Sequence, residues 1–425
     1  MGLFRIGARC KASTIVGRES GFAMNLDEPD GKAIFRFHTR YLKIGEERTL
    51  PGDFWVDMEV EADDLDGTDK FVNFASFLVN VISFASNAFI ADLEPEVFVD
   101  VTPGSDSHTF LQRMVTPDRP TLTARFIDGP VSISLMEAVY GSPEREQLAM
   151  AISHYINALS YWSAGKELLV LAHLFMGAET MKQAAWKKKI REELITEEDL
   201  ALSWGWLREK EPVVRKFLDG YSRRHLVFRG DLATHKAVSE LSNRFEHGYA
   251  SWHPLAADAH EHVEATATYL RNSILEVAGV GAEALEVLSS AEYASPLGPD
   301  PFEFRIETIL NGAADQLAPT GQVYPMFDWN QAISEIEIDE TARSLKFKTS
   351  PTLSPSLGAG TTFESISFKV TAPARFKMTQ NASSIDDSEQ DPSGARQIDR
   401  TPARPSFPTD EDHSSPAAAG RPPQT

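Results

Sequence analysis

The hydrophobic period changes twice along this chain, and no single layer of secondary structure accommodates that pattern. Near the N-terminus apolar residues recur at every second position. Phe54, Val56, Met58 and Val60 alternate with Asp57, Glu59 and Glu61, the pattern of a half-buried strand. Ala33, Phe35 and Phe37 alternate with Arg36 and His38 in the same way, and Val97, Val99 and Val101 form a further run closed by Pro103-Gly104. From Gly141 to about Gly281 the spacing is helical instead. From Phe302 the period of two returns, in Phe302, Phe304 and Ile306 and again in Ile366, Phe368 and Val370. Ile336 and Ile338, then Leu345 and Phe347, flank a polar link and predict a hairpin. The expectation is an α+β chain with a β-rich N-terminal domain over 1–135, a central all-α helical bundle over 141–292, and a small C-terminal β-rich unit over 300–372.

The remainder, 373–425, is rich in Pro, Ser and Asp, with Phe407 as its sole aromatic after Thr379. Such a segment buries too little apolar surface to offset chain entropy, so it is expected to be a disordered tail.

Between Phe71 and Ala91 there is no charged residue, which imitates a membrane span. However, Asn73, Ser76, Asn80, Ser83 and Asn87 recur at helical steps and form one polar stripe. Amides are costly at a bilayer centre, so a helix largely buried in a folded domain is the better reading. A single cysteine, Cys10, allows neither an internal disulfide nor a cysteine-based metal site. With no signal-peptide pattern in the first residues, a cytoplasmic location and no membrane partner are expected. The formal net charge of −21 argues against non-specific coating of DNA.

In the helical region, Ser142 and Pro143 suit an N-cap and a first helical position, with Glu144 and Glu146 complementing the helix dipole. Leu148, Ile152, Tyr155, Ile156 and Leu159 come next at helical spacing. Gly165 separates this run from a second, Leu168 to Met181, that ends in Lys187-Lys188-Lys189. Thr196-Glu197-Glu198-Asp199 predicts a short helix, and runs over 235–252 and 255–277 complete the set with Pro254 between them.

Within Ser242-Asn243-Arg244-Phe245-Glu246-His247-Gly248, Asn243 and His247 are four apart, and Arg244 and His247 three apart, so His247 is a helix-face neighbour of each. A histidine held by an amide beside an arginine can act as a general base or contact a phosphate. The same spacing also fits a plain helix C-terminus, with His247 and Gly248 as last turn and cap. From Lys182 to His247 there are 14 Lys and Arg against 11 Asp and Glu, a slightly positive stretch in an acidic chain.

The paired helices, the Gly165-Lys166-Glu167-Leu168 to Glu179 core helix and the later Asn243-x-x-x-His247 together resemble the HEPN superfamily. That resemblance spans about a third of the chain. It implies a four- to five-helix bundle, a homodimer, a setting in prokaryotic defence or stress response, and RNA or a nucleotide as ligand. It also implies Asn243, Arg244 and His247 as site residues, with no metal and no cofactor. Nuclease members carry arginine immediately before the polar residue of the motif, where this chain has Ser242. The resemblance therefore implies binding or sensing without the full nuclease motif. The alternatives are a metal-independent RNA endonuclease, with His247 as base and Arg244 stabilising the phosphorane, and a non-enzymatic dimeric scaffold.

Other clusters carry less. Arg229 and His235 meet a looser arginine-to-histidine spacing. His253, Asp258, His260, His262 and Glu264 form two acid–histidine pairs on different helix faces, without converging geometry for a metal. No phosphate-binding loop, dinucleotide fingerprint or nucleophile elbow is present in the sequence.

Overall fold

The alternating N-terminal segments assemble into a six-stranded antiparallel sheet in the computed structural model. The structure describes residues 2–371, apart from 29–30, 45–47, 65, 105–107, 114–120, 122–124, 164, 247–251, 300–302, 314–315, 321–324, 340–343 and 364–366. The predicted tail, 373–425, lies outside the described residues. The strands are β1 (Gly2–Cys10), β2 (Phe22–Glu28), β3 (Gly31–Ile44), β4 (Arg48–Ala62), β5 (Glu94–Asp100) and β6 (Phe110–Gln112), in the order β2-β3-β4-β1-β5-β6. Register puts Phe35, Met58, Ile6 and Phe98 in one row across β3, β4, β1 and β5. That row is buried and forms the inner face of the sheet.

One strand departs from its sequence pattern. In β5 the residue turned to the core is Phe98, stacked on Phe4 at 5.4 Å, while Val97 and Val99 are half-buried on the other face. An aromatic ring removes more apolar surface from water than a valine, so burial of Phe98 decides the register.

The helix α1 (Asp69–Ser86) covers the inner face, with Phe74 against Phe35 at 5.6 Å. Its polar stripe runs from the exposed Asn73, through the half-buried Ser76 and Asn80, to the buried Ser83 and Asn87. Among the described residues, no helix is long and apolar enough to cross a membrane.

The helical region begins earlier than its first periodic run. In α2 (Gly129–Gly141), the Asp128 carboxylate accepts a 3.1 Å hydrogen bond from the Val131 N–H, and Pro130 occupies the first turn. Ser142 ends α2 rather than capping the next helix, although its hydroxyl still accepts from the Glu144 N–H at 3.2 Å. Helix α3 (Arg145–Ser160) starts after Glu144, and α4 (Glu167–Glu193) after Gly165, whose φ of +82° suits a residue without Cβ. In α4, Gly177 permits close approach of α8 (Trp252–Ala278): a Cβ there would lie 2.6 Å from Leu270 Cδ2. Thr196 and Asp199 form a reciprocal capping box at the start of α5 (Glu197–Ser203). Between it and α8 lie α6 (Val214–Ser222), a π-helical turn over Arg223–Val227 and α7 (Leu232–Glu246); α9 (Ala282–Leu288) comes after α8.

A continuous apolar core runs from the sheet through α1, α2, α3, α4, α7 and α8. A separate small cluster, Trp186, Leu200, Ala201, Trp206 and Leu218, fastens α5 and α6 to the end of α4. Beyond the helices, β7 (Glu303–Glu307) pairs with β12 (Ser367–Thr371), and β8 (Leu310–Asn311) with β11 (Thr362–Phe363). The predicted hairpin forms from β9 (Met326–Asp339) and β10 (Ser344–Ser356), with Ile338 opposite Leu345 and Ile336 opposite Phe347.

Buried polar contacts gather at the end of α1. Its C-cap Asn87 has a φ of +46°, a conformation that asparagine tolerates better than most residues. The Asn87 side-chain amide donates to the Tyr293 carbonyl at 2.8 Å. Two buried arginines converge on the α1 carbonyls. Arg271 donates to the Phe84 and Ala85 oxygens, and Arg125 to Ser86 and Asn87. Cations at this point complement the negative end of the helix dipole and satisfy acceptors that lack intrahelical partners.

Candidate functional site

The helical region carries an indentation at its surface. A cleft of about 600 Å³ opens between α3, α4, the π-helical turn and α7. It is lined by His154, Phe175, Met176, Glu179, Arg223, Ser239 and Asn243. Helical spacing explains the arrangement. Phe175 and Glu179 are four apart on α4, and Ser239 and Asn243 four apart on α7, so each pair shares a face. His235 lies one turn before Ser239, with Nε2 3.5 Å from its hydroxyl. Arg223, the first residue of the π-helical turn, completes the lining.

Ionic contacts organise the cleft. Glu179 accepts from Lys182 at 2.8 Å and from Arg223. Burial opposes ionisation of Glu179, but the hydrogen bonds and charges of Lys182 and Arg223 outweigh it and hold the carboxyl below its ordinary range. Two cations against one carboxylate leave this group net positive. Arg223 also lies over the Phe175 ring at 5.9 Å, and its Nε is buried without a protein acceptor.

The histidines nearby are kept neutral. Burial lowers His154, and burial together with His154 lowers His173. Their rings are 6.3 Å apart, His173 stacks on Tyr161 at 5.6 Å, and the Nδ1 atoms of both histidines are buried without a protein partner. His235 is lowered by burial first, then by Arg223 and Arg224. A neutral imidazole both donates and accepts hydrogen bonds, so the cleft offers bifunctional polar groups beside a fixed positive charge.

The three residues singled out in the sequence fall in different places. Asn243 lines the cleft. Arg244, the next residue, points elsewhere and lies 4.0 Å from Asp258 of α8, with both side chains about half exposed. His247 lies outside the described residues. Arg229 and His235 do not meet: Arg229 pairs with Glu276 at 3.0 Å, whereas His235 packs edge-on against Phe228. Asp231 between them starts α7, accepting from the Thr234 N–H at 3.0 Å and from the Tyr269 hydroxyl at 2.9 Å. Of the acid–histidine pairs, His260 lies 3.6 Å from Glu167 of α4. Among the described residues, no group of three or more histidine, cysteine or acidic side chains could hold a metal ion.

No family model, curated protein or solved structure matches the chain. The site is therefore known from its own geometry. Local spacing does not single out His154, Glu179 and Arg223, because they come from three elements far apart in sequence. One signal is present: His235, Ser239 and Asn243 repeat every four residues and form a polar stripe along α7.

Proposed function

We propose that the helical region binds a nucleotide, free or as the end of an RNA strand, in the cleft between α3, α4 and α7. The observation that carries this reading is the meeting of Asn243 with Arg223 and His154 over Phe175 and Met176. Arginine supplies a fixed charge for phosphate. Ser239, Asn243 and the neutral His154 supply donors and acceptors for sugar or base, and the apolar floor supplies contact area. A volume of about 600 Å³ lies inside the range of roughly 300–1,000 Å³ usual for small-molecule sites. The HEPN resemblance supports the same ligand class, together with a dimer and a defence or stress setting. The reading is one of binding rather than cleavage, since Ser242 replaces the motif arginine and Arg244 is directed toward Asp258.

The test is calorimetric titration of the full chain, in chelator, with mononucleotides and with short single-stranded RNA. Binding to either that falls at least about tenfold in both Arg223→Ala and Asn243→Ala, with an unchanged circular dichroism spectrum, supports the proposal. Absence of binding to both probes overturns it. RNA cleavage that disappears in His247→Ala would replace it with the nuclease reading.

A further inference from the structure

The π-helical turn that delivers Arg223 to the cleft also displays Arg224 and His225, and both are exposed. His225 is the end of an aromatic ladder. Its ring lies 4.2 Å from that of Tyr221, and Tyr221 stacks on Trp204 at 4.4 Å with an interplanar angle of 14°. Phe217 buttresses Tyr221 at 5.9 Å.

The sequence dictates this ladder. Phe217, Tyr221 and His225 are spaced by four along α6 and the π-helical turn, so they lie along one face, and Trp204 is brought up by the turn after α5. The apolar cluster of Trp186, Leu200, Trp206 and Leu218 fixes α5 and α6 beneath it. The Trp186 indole N–H donates to Asp219 at 2.9 Å and locks α6 against α4. The rings are thus held on a rigid base, while Trp204 and Tyr221 remain half-exposed and His225 is open to solvent.

Ordinary packing does not require three rings in series at a half-exposed surface. A planar ring ending such a series, tilted 36° from Tyr221 and preceded by Arg223 and Arg224, is suited to a nucleobase. Bases stack on aromatic and histidine rings regardless of sequence, while the neighbouring guanidinium groups meet the phosphates. We infer that His225, backed by Tyr221 and Trp204, is a base-stacking platform beside the cleft, so that the ligand is read as a nucleobase-bearing phosphate and not as a phosphate alone. This inference rests on the proposed nucleotide site and adds the part of the ligand that is recognised. Sequence tolerance results, because every base presents a π-face.

The experiment compares a nucleoside monophosphate with ribose 5-phosphate, each titrated into the full-length wild type, His225→Ala and His225→Phe. His225 is exposed, so neither variant threatens the fold. The expected result is tighter binding of the nucleotide than of the sugar phosphate to the wild type, by roughly 5- to 100-fold as one stacked base contributes. That preference should vanish in His225→Ala and return in His225→Phe, with sugar phosphate affinity constant throughout. Quenching of tryptophan fluorescence by the nucleotide alone would accompany it. Equal affinity for the two ligands, or a preference that survives His225→Ala, overturns the platform while leaving the cleft standing. No binding of either ligand to the wild type overturns both.

Discussion

The Tyr155 hydroxyl donates a 2.8 Å hydrogen bond to Oδ1 of Asn87, joining the middle of α3 to the C-cap of α1. Both residues are fully buried, and burial pushes the Tyr155 phenol up to about 12, so it remains a donor at any ordinary pH. The opposite side of the Asn87 amide donates to the segment after α9. Through this one residue the helix on the sheet, the helical region and the chain leading to the C-terminal strands are bound together. Backbone bonds take the same route: Leu297 N–H donates to the Asn87 carbonyl, and Phe89 N–H to the Leu297 carbonyl.

Removing the Tyr155 hydroxyl leaves Asn87 Oδ1 buried and without that donor. Tyr155→Phe is therefore expected to lower stability by about 1–3 kcal/mol, read as a reduced urea midpoint. Asn87→Ala should lower it further, since alanine is strained at positive φ and the bonds to Tyr293 and Ala294 also go. Combined, the two changes should fall short of their sum by about 1 kcal/mol or more. Strict additivity would show that the pair is not coupled.

Arg271 is buried without a carboxylate partner among its hydrogen bonds; it instead donates to the carbonyls of Phe84, Ala85 and Leu288 and lies 4.8 Å over the Phe84 ring. Burial pulls its basicity down, yet the helix terminus keeps a cation there useful. Arg271→Lys retains charge but not a planar fork reaching several acceptors. It is expected to destabilise by at least about 1.5 kcal/mol, and Arg271→Met comparably. A lysine variant with wild-type thermal stability would show that charge alone suffices.

The fold is legible in the sequence wherever burial obeys a local period. The strands through Phe35 and Met58, the helix through Leu168 and Met181, and the hairpin at Ile338 and Leu345 all declare themselves by spacing. The helix α2 does not, because Glu137 is the sole charged residue from Val131 to Val139 and leaves little amphipathic contrast; its start is written instead in Asp128-Gly129-Pro130. Phe98 is masked by Val97 and Val99, which give a cleaner alternation than the aromatic ring between them. The role of Asn87 as the meeting point of distant segments is not readable, since its partners Tyr155 and Tyr293 are remote in sequence.

His154 on the cleft wall, with His173 and His235 near it, makes stability depend on pH. His154, His173 and His235 all have protonation suppressed below the ordinary 6.5, with burial as the largest cause. Unfolding exposes them, so between the lowered folded values and 6.5 the unfolded chain binds more protons. Their contribution is complete above 6.5 and is lost as pH falls through that interval. Urea midpoints at about pH 7.5 and about pH 5.5 should show the wild type weakening, and His154→Gln with His173→Gln should weaken less over the same range. Identical slopes would remove these histidines as the cause.

The site is half legible. Asn243 is marked by its spacing to His247, and the structure places it on the cleft wall. Arg244 is marked by adjacency, but adjacent helix residues point about 100° apart, and its neighbour Asp258 draws it to α8. Arg223 opens the π-helical turn and is remote in sequence from the residues of α3, α4 and α7 that share the cleft, so no local spacing connects it to them.

The C-terminus of α4 offers a separate test of backbone energetics. Its cap, Leu194, has a φ of +54° and is 91% exposed, so the side chain gains almost nothing from packing while holding a conformation unfavourable to residues with a Cβ. The Leu194 N–H still closes the helix by donating to the Ile190 carbonyl, a bond that glycine retains. Leu194→Gly is thus expected to stabilise the protein by about 0.5–1 kcal/mol, the left-handed penalty of roughly 1–2 kcal/mol being offset in part by the greater freedom of glycine in the unfolded chain. Leu194→Val, branched at Cβ, should act in the opposite direction. Thermal unfolding of the three proteins would rank glycine above leucine above valine. A glycine variant less stable than the wild type would mean that Leu194 is covered by a partner in solution or does not hold this conformation.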